Sequence, residues 1–543
     1  MGFLGIIEPK NGSEAPGTVL LDVEAVDLPP AQDGLKYATG TNKNIVLVPQ
    51  PSNDPNDPLN FSPAKKLTMI AITGLGTCIW GTTIGPLLNA GLVQIATELE
   101  VSVAKVVQAS GYQLLVVAAS VTIINTIATK WGKRPVFVAS GIIGMIGNII
   151  GSTASSFNQL LTARIIQGFS SSAYESLIFS MIGDLFYVHE RGIYAALFNF
   201  IIVGISNFSS VICGAVTAHL GWKYLFHLLN AFGGFHIILQ YLFVPETQFI
   251  RPVITRPSAS EVDDSHTQKC EQETEVSEVA HIETRNSNLS RKTYRQSLAL
   301  INGEFSDESI TSLILGPFVA CINLSICWVV ICTGYILSLY VTVAYLLAQI
   351  FSAPPYLLDA SGVGYLSLGP FIGGLLAGII AALLNDRLVR WCSHKNCGIY
   401  EPEYRLLLGG LGVIGIAGFV GFGYAAEAGA SLYLTAFCHG IALFGIMFIF
   451  VATSSYALDA FPTLGNEIFL ASMAFKNLII YAFSYFVNDW AAQVGVAKVL
   501  WILSAVGAAL FVTFPIMFFF GKRYRVFWHN HDLLSKFYQL TRS

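Results

Sequence analysis

Two residues of opposite charge lie within an apolar stretch that is long enough, with its flanks, to cross a lipid bilayer. Residues 163–181 read ARIIQGFSSSAYESLIFSM and hold Arg164 and Glu175. Because a charged side chain at the centre of a membrane helix costs about 2.5–3.5 kcal/mol on insertion scales, both charges need a reason to be there. A carboxyl group balanced between desolvation and the attraction of a nearby cation can take up and release a proton. The two residues therefore indicate proton-linked chemistry inside a membrane, and the alternative is a buried ion pair that only fixes helix packing.

The spacing of the two charges predicts that they share one face of a helix. They are 11 residues apart, which at about 100° per residue separates them by about 20° around the helix axis. Gly168 and Ser171 fall on the same side, so the helix carries a polar stripe. Since ionisable groups within a membrane face a bundle interior or a wet cavity, we expect this stripe to line a cavity.

The composition of the whole chain is that of a polytopic membrane protein. The chain has 543 residues, of which 53% are hydrophobic and 12% charged, with a mean hydropathy of +0.59, whereas an average soluble domain is about 25% charged. The net charge of -4 and the lack of a long basic stripe argue against a nucleic-acid-binding protein. The sequence holds neither a phosphate-binding glycine loop with its lysine nor a catalytic constellation. We therefore expect neither an enzyme nor an ATP-driven pump, and no cofactor.

One short stretch contains potential metal ligands. The sequence WCSHKNC holds Cys392, His394 and Cys397. Because this spacing matches no standard zinc pattern, we predict no metal site.

Apolar runs of about 20 residues predict an all-α protein with twelve membrane-spanning helices in two sets of six. The stretch 312–323 is interpreted as an interfacial lead-in to helix 7, with a re-entrant segment as the alternative. The predicted helices, numbered 1 to 12, span 67–92, 106–128, 135–154, 160–184, 193–217, 222–244, 324–350, 361–385, 404–426, 430–455, 467–488 and 495–519. The predicted domains are a disordered cytosolic N-terminal segment (1–66), the first six-helix half (67–244), a cytosolic central loop (245–311), the second half (312–519) and a cytosolic tail (520–543).

The distribution of basic residues predicts the orientation, because cytosolic loops of membrane proteins are rich in Lys and Arg. With both termini in the cytosol, 25 of the 30 Lys and Arg residues fall on the cytosolic side, and only Lys105, Lys223 and Lys498 fall outside. The mirror orientation would invert this bias. We therefore predict a multi-pass protein of the plasma membrane with both termini cytosolic, an internal membrane being the alternative.

Two short basic segments occupy equivalent places in the predicted halves, after helix 2 and after helix 8. They read NTIATKWGKRP (125–135) and LLNDRLVRW (383–391). At these residues the chain resembles the major facilitator superfamily, although short basic loops also arise from charge asymmetry alone. The resemblance implies cytosolic gate loops that influence switching between states more than substrate affinity. The gate residues are Lys130, Gly132, Lys133, Arg134, Asp386, Arg387 and Arg390.

Further motifs resemble the fungal twelve-helix drug:proton antiporters of that superfamily. They include DPNDPLNFSPAKK (54–66), ARIIQGF (163–169) and YALDAFP (456–462). One departure lies in helix 5, where Ser209 and Ser210 stand in place of the Gly-Pro pair of the antiporter signature. The resemblance implies a proton-coupled secondary efflux transporter that works by alternating access. Its substrate would be a small, mainly apolar molecule such as a secondary metabolite, toxin or drug.

The resemblance also implies roles for individual residues. In the superfamily, helix 4 lines the central cavity, and the Arg of the R-x-x-Q-G pattern, here Arg164, is linked to proton coupling. We expect Glu175 to carry the coupling proton and Arg164 to act on it as its nearest positive charge. With helices 1, 4, 7 and 10 around the cavity, the candidate substrate contacts are Asn89, Tyr112, Gln113, Ser171, Tyr335 and Tyr340.

Lys476 is the other charged residue at the centre of a predicted span. Because helix 11 is peripheral in this fold, we interpret it as a structural lysine that pairs with Glu467 or with a backbone carbonyl. His439 is a lone polar residue in an apolar run, and we attribute it to packing.

Two alternative functions remain open at this stage. A carrier of a polyamine-like cation, whether importer or exporter, should need several cavity carboxylates, whereas Glu175 is the one identified here. A non-transporting sensor with the same fold would carry a long structured tail. The expected partners are a small-molecule substrate, protons and the lipid bilayer, with the chain functional as a monomer.

The predicted orientation determines the outcome of a protease-protection experiment. Protease added to intact cells should leave the segment 246–311 uncut, because the charge asymmetry places it in the cytosol. The same protease should cut it after permeabilisation, which is the control. Cleavage before permeabilisation would contradict the twelve-helix topology.

Overall fold

The computed structural model describes residues 3–7, 15–20, 51–187, 191, 194, 197, 198, 200–250, 292–396 and 399–531. Within these residues ten helices are long and apolar enough to cross a membrane, and the helices that begin at Pro63 and Phe157 complete the two sets of six. The predicted all-α fold is confirmed. The helices are α1 (Pro63–Gly76, continued by a π-helical stretch, Thr77–Thr82), α2 (Val103–Trp131), α3 (Lys133–Ser152), α4 (Phe157–Leu185), α5 (Ile201–Leu220), α6 (Lys223–Phe243), α7 (Leu324–Phe351), α8 (Ala360–Lys395, with a turn at 366–367), α9 (Pro402–Glu427), α10 (Leu432–Ala460), α11 (Pro462–Val494) and α12 (Val496–His531).

Helix α1 ends earlier than its apolar run predicts. The prediction extends it to residue 92, but the helix stops at Thr82 and gives way to a turn. The hydroxyl of Thr83 donates to the carbonyl of Cys78 at 2.7 Å, and Pro86 lacks the N–H that a continuing helix requires. The chain then forms a single 3₁₀ turn, Asn89–Gly91, and a short helix, Leu92–Glu98.

Two other segments also differ from their sequence interpretation. The second basic segment, 383–391, is not a loop, because α8 continues as a helix to Lys395. The lead-in to α7 is a separate short helix, Ile310–Ala320, and Asn323 caps the start of α7 by accepting hydrogen bonds from the backbone N–H groups of Ser325 and Ile326.

The two halves meet where small residues let the helices approach closely. Gly111 of α2 lies against Ser484 of α11, and a Cβ on Gly214 of α5 would lie 3.0 Å from the Cα of Gly364 in α8. Small residues at such crossings allow backbone contact between membrane helices. Helix 11 is therefore not peripheral as predicted, because α11 packs against α2 of the other half and against α7.

Residues 3–7 and 15–20 of the N-terminal segment, which was predicted to be disordered, are packed against the second half. Ile6 and Ala15 are buried. The N–H of Ile7 donates to the carbonyl of Phe519 at 3.0 Å, and Val19–Leu20 pairs with Ile399–Tyr400 in a two-residue antiparallel ladder. Residues 8–14, 21–50, 251–291 and 532–543 lie outside the described residues. The predicted disorder of the N-terminal segment therefore stays a prediction for 8–14 and 21–50.

A buried charge cluster anchors this packing on the face that carries the chain termini. Arg525, with 1% of its side chain exposed, donates to Glu403 at 2.7 Å and to Glu401 at 3.3 Å. It also donates to the carbonyl of Pro16. The hydroxyl of Thr18 donates to Glu401 at 2.8 Å. One guanidinium therefore holds together the start of α9, the end of α12 and the N-terminal segment.

Removing that guanidinium should destabilise the protein strongly. Arg525→Leu leaves Glu403 buried without its cation, while Glu401 keeps Lys522 at 2.7 Å, and a broken buried pair costs about 3–5 kcal/mol. The matched control is Arg523→Leu, which removes an exposed Arg from the same helix. We expect a clearly lower melting temperature in detergent for Arg525→Leu and little change for Arg523→Leu. Equal melting temperatures would show that the cluster is not an anchor.

Candidate functional site

A cavity of about 660 Å³ lies between the two halves. Most of its wall comes from α1, α4, α5, α7, α10 and α11, with Leu114 of α2 and Ser367 of α8 adding to it, so the predicted wall of helices 1, 4, 7 and 10 is extended by four more. The cavity reaches the face that carries the chain termini, where Asp184, Leu458 and Pro462 line it. At the opposite face the approach of Gly214 to Gly364 brings the halves together. The molecule is therefore open towards the face that the charge asymmetry predicts to be cytosolic.

An ion pair between the halves lies in the wall of this cavity. The Nζ of Lys476 in α11 is 3.7 Å from the Oε2 of Glu175 in α4, and the two side chains are 17% and 11% exposed. Both residues line the cavity. Of the two partners predicted for Lys476, Glu467 or a backbone carbonyl, the pairing with Glu467 is wrong, because the carboxylate partner is Glu175. The two membrane charges compensate each other across the boundary between the halves.

Arg164 does not line the cavity and does not pair with Glu175. It is fully buried and donates to the carbonyls of Ile84 at 2.8 Å and Gly85 at 3.2 Å. It also donates to the side-chain oxygens of Gln167 at 2.9 Å and Ser110 at 3.3 Å.

The geometry of α4 explains this separation. Eleven residues of helix advance about 16 Å along the axis, so Arg164 and Glu175 share a face without being in reach of each other. Arg164 instead satisfies carbonyls that are left without helical partners where α1 ends. The expectation that Arg164 is the nearest positive charge to Glu175 is wrong.

The other sequence candidates divide into two groups. Asn89 and Tyr340 line the cavity, and the hydroxyl of Tyr340 donates to Asn207 of the other half. The remaining four lie outside the lining and make structural contacts. Gln113 donates to Ser171, Ser171 donates to the carbonyl of Trp80, Tyr335 donates to the carbonyl of Leu503, and Tyr112 bonds to Tyr485.

Among the polar residues of the cavity wall that sequence reasoning missed are His439 of α10 and Asn477 of α11. Neither ring nitrogen of His439 and neither amide atom of Asn477 has a hydrogen-bonding partner among the described residues, although both side chains are almost fully buried. At each position the sequence shows only a polar residue within an apolar run. That pattern does not distinguish a residue that faces a cavity from one that is packed in the core.

The predicted gate residues of the first half lie at the junction of α2 and α3. Lys133 forms an ion pair with Asp184 at the end of α4, and Arg134 donates to the carbonyls of Tyr241 at 2.7 Å and Ala299 at 3.1 Å. Lys130 lies in the last turn of α2, and its carbonyl accepts from the backbone N–H of Phe305. The bonds of Arg134 to Ala299 and of Lys130 to Phe305 bind the first half to the segment 292–305.

Gly132 joins α2 to α3 at a position that requires glycine. Its φ of 102° lies in the left-handed region, which L side chains rarely adopt. A Cβ there would also collide with the carboxylate of Glu246, which accepts from the backbone N–H groups of Lys133 and Arg134 at 3.0 and 3.1 Å.

The predicted gate residues of the second half lie on the last turns of α8. Asp386 is 3.7 Å from Arg405, which also pairs with Asp459 at the end of α10. Arg390 donates to the carbonyl of Asp386 at 3.3 Å, and Arg387 is exposed. The described ion pairs of both gate regions therefore stay within their own half.

Of the three potential metal ligands in the sequence WCSHKNC, Cys397 lies outside the described residues.

The pairing of Glu175 predicts which substitutions are energetically coupled. Residues in contact show interaction energies of about 0.5–3 kcal/mol in double-mutant cycles, whereas distant ones add. We expect Glu175→Gln and Lys476→Gln to be non-additive in unfolding free energy, and Glu175→Gln and Arg164→Gln to be additive. The reverse pattern would restore Arg164 as the partner of Glu175.

Comparison with known proteins agrees with this architecture. Residues 68–476 match the family described as Major Facilitator Superfamily. The MFS-type transporter hepF of Aspergillus oryzae is 25% identical over 436 residues, which cover 78% of this chain and 83% of the relative. The MFS-type efflux pump MFS2 of Trichophyton rubrum is 22% identical over 494 residues, with 89% and 76% covered.

The solved structures show the same fold. The proton:xylose symporter XylE superposes with a TM-score of 0.56 at 13% identity, covering 83% of this chain and 96% of that one. The family match extends over most of the chain and includes both sides of the cavity. The chain therefore belongs to the Major Facilitator Superfamily and is a multi-pass membrane transporter.

Proposed function

We propose that the protein is a proton-coupled secondary exporter of a small molecule that works by alternating access. The observation that carries the proposal is the Glu175–Lys476 ion pair, which joins the two halves inside the cavity at 3.7 Å. A titratable carboxyl group at this place can link the binding of a proton to the relative position of the halves.

Proton binding acts on the ion pair in a simple way. A proton on Glu175 removes its negative charge and with it the attraction to Lys476. The loss of one charge of a buried pair is costly for the arrangement that buries the other, so protonation favours a state in which Lys476 reaches water or another partner. The protein thus has two arrangements whose balance depends on one proton, as a transporter of this type requires.

Arg164 and the gate residues support this cycle from outside the cavity. Arg164 fixes the end of α1, whose following residues Gly85, Pro86 and Asn89 line the cavity. Arg164 therefore shapes the site rather than exchanging the proton. The gate residues lie at the face where the halves must approach each other when the cavity closes, so they influence the rate of switching.

The proposal also includes the direction of transport and the membrane in which the protein lies. Export is supported by the resemblance to fungal drug:proton antiporters and by the relative named as an efflux pump. The proposed location is the plasma membrane, with both termini cytosolic and the chain functional as a monomer. Transport of a polyamine-like cation is disfavoured, because the acidic residue deep in the described lining, Glu175, is already paired with Lys476.

The role of Glu175 predicts a specific defect. Glu175→Gln mimics the protonated carboxyl group, so it should abolish accumulation driven by an imposed proton gradient in vesicles. Exchange of substrate for substrate should survive, because it needs no net proton movement. The control is Glu467→Gln, which neutralises a carboxylate that does not line the described cavity. A Glu175→Gln protein that responds to the gradient like the wild type would exclude Glu175 as the coupling site.

A further inference from the structure

Three buried polar side chains face the cavity with hydrogen-bonding capacity that no described residue uses. Neither ring nitrogen of His439, neither amide atom of Asn477, nor the Oδ1 of Asn89 has a partner. The exposed fractions of these side chains are 1%, 0% and 6%, respectively, and all three line the cavity. Buried polar groups in native proteins are nearly always bonded, and exceptions call for a ligand, a water or a functional role.

These side chains offer both donors and acceptors to a ligand. An amide presents one oxygen and one NH₂ group, and a neutral imidazole presents one donor and one acceptor. His439 lies between the rings of Tyr340 and Phe422, whose centroids are 5.6 and 5.2 Å away. Asn89 belongs to the first half, and the other two belong to the second, so both halves contribute polar groups to the cavity wall.

The charges deep in the described cavity lining compensate each other, because Glu175 and Lys476 form an ion pair. At the mouth, Asp184 pairs with Lys133, and Arg191 donates to the backbone carbonyls of Gly183 and Phe186. Deep in the described lining a charged ligand would therefore meet no unpaired opposite charge, and an uncompensated buried charge is strongly unfavourable.

The rest of the wall favours an apolar body. Phe179, Phe450 and Phe469 line the cavity together with aliphatic side chains of α7. Ligand sites of this kind commonly combine an apolar wall with a few polar groups that orient the ligand.

From these observations we infer that the substrate is an uncharged amphiphile whose hydroxyl or carbonyl groups bind Asn89, His439 and Asn477 while its apolar body packs on the aromatic wall. The inference rests on the proposed function only in taking this cavity as the transport site. It replaces a mainly apolar substrate with one that carries several hydrogen-bonding oxygens on an apolar body.

Equilibrium binding to the purified full-length protein, without a proton gradient, tests the inference. The probes share one rigid apolar body: hydrocortisone is uncharged and carries hydroxyls and ketones, its 21-hemisuccinate is an anion, and a 21-trimethylammonium derivative is a cation. We expect hydrocortisone to bind at least about tenfold more tightly than either charged probe. Equal or tighter binding of a charged probe, or no binding of hydrocortisone, would overturn the inference.

Substitutions separate the polar subsite from general packing. His439→Leu and Asn477→Leu should each weaken hydrocortisone binding about three- to tenfold, the range expected for one lost hydrogen bond. The control is Asn125→Leu, which removes a buried amide with an unpartnered nitrogen that does not line the cavity. Identical affinities of all three variants would show that the polar groups do not bind the ligand.

A change in charge selectivity is the most informative outcome, because each variant is expected to gain affinity for one charged probe rather than to lose binding. Glu175→Gln leaves Lys476 uncompensated and should favour the hemisuccinate, whereas Lys476→Gln leaves Glu175 uncompensated and should favour the trimethylammonium probe. Unchanged selectivity in both variants would contradict the inference. This readout does not depend on whether Glu175 exchanges the coupling proton, so the substrate class and the proposed coupling can fail separately.

Discussion

The energetic constraint that organises this protein is that charge within a low-dielectric helix bundle must be compensated inside the bundle. Lys476 and Glu175 meet this constraint together, although they lie in different halves. Each charge alone would carry the penalty of an unpaired ion in the membrane. The pair is therefore tolerable only in arrangements that keep α4 near α11, or that supply water or a proton. Because the two charges lie in different halves, ligand binding, protonation and the relative position of the halves can all act on this ion pair.

The same constraint applies to the backbone, and Arg164 shows how it is met. Helix α1 ends within the bundle, and the carbonyls of Ile84 and Gly85 need donors that no water can reliably provide. A buried guanidinium with several fixed donors suits this task better than a Lys would. Near the end of α12, Arg525 has a comparable role, because it binds Glu401, Glu403 and the carbonyl of Pro16. Both Arg residues position elements of the bundle without lining the cavity.

Hydropathy was sufficient to predict the helices, because the bilayer imposes helix length and apolar character on each segment separately, and short motifs such as ARIIQGF carried the family resemblance. Two helix boundaries differ from the prediction. Pro86 and the hydrogen bond from Thr83 to Cys78 end α1 early, and α8 continues as a helix through its basic segment. The pairing of Glu175 was not predictable in this way. Helical periodicity places Arg164 and Glu175 on one face but says nothing about a partner some 300 residues later in the chain. His439 and Asn477 were missed for a related reason, since only the packed structure shows which polar residues face a cavity.

Infrared difference spectroscopy of purified protein during a pH titration tests the central claim most directly, because a protonated carboxyl group has its own C=O band. The account predicts a band that appears on acidification of the wild type and is absent from Glu175→Gln. It also predicts that the pH range of this band changes in Lys476→Met, in which the compensating charge is gone. A band that persists in Glu175→Gln, or that keeps its wild-type pH range in Lys476→Met, would contradict the account.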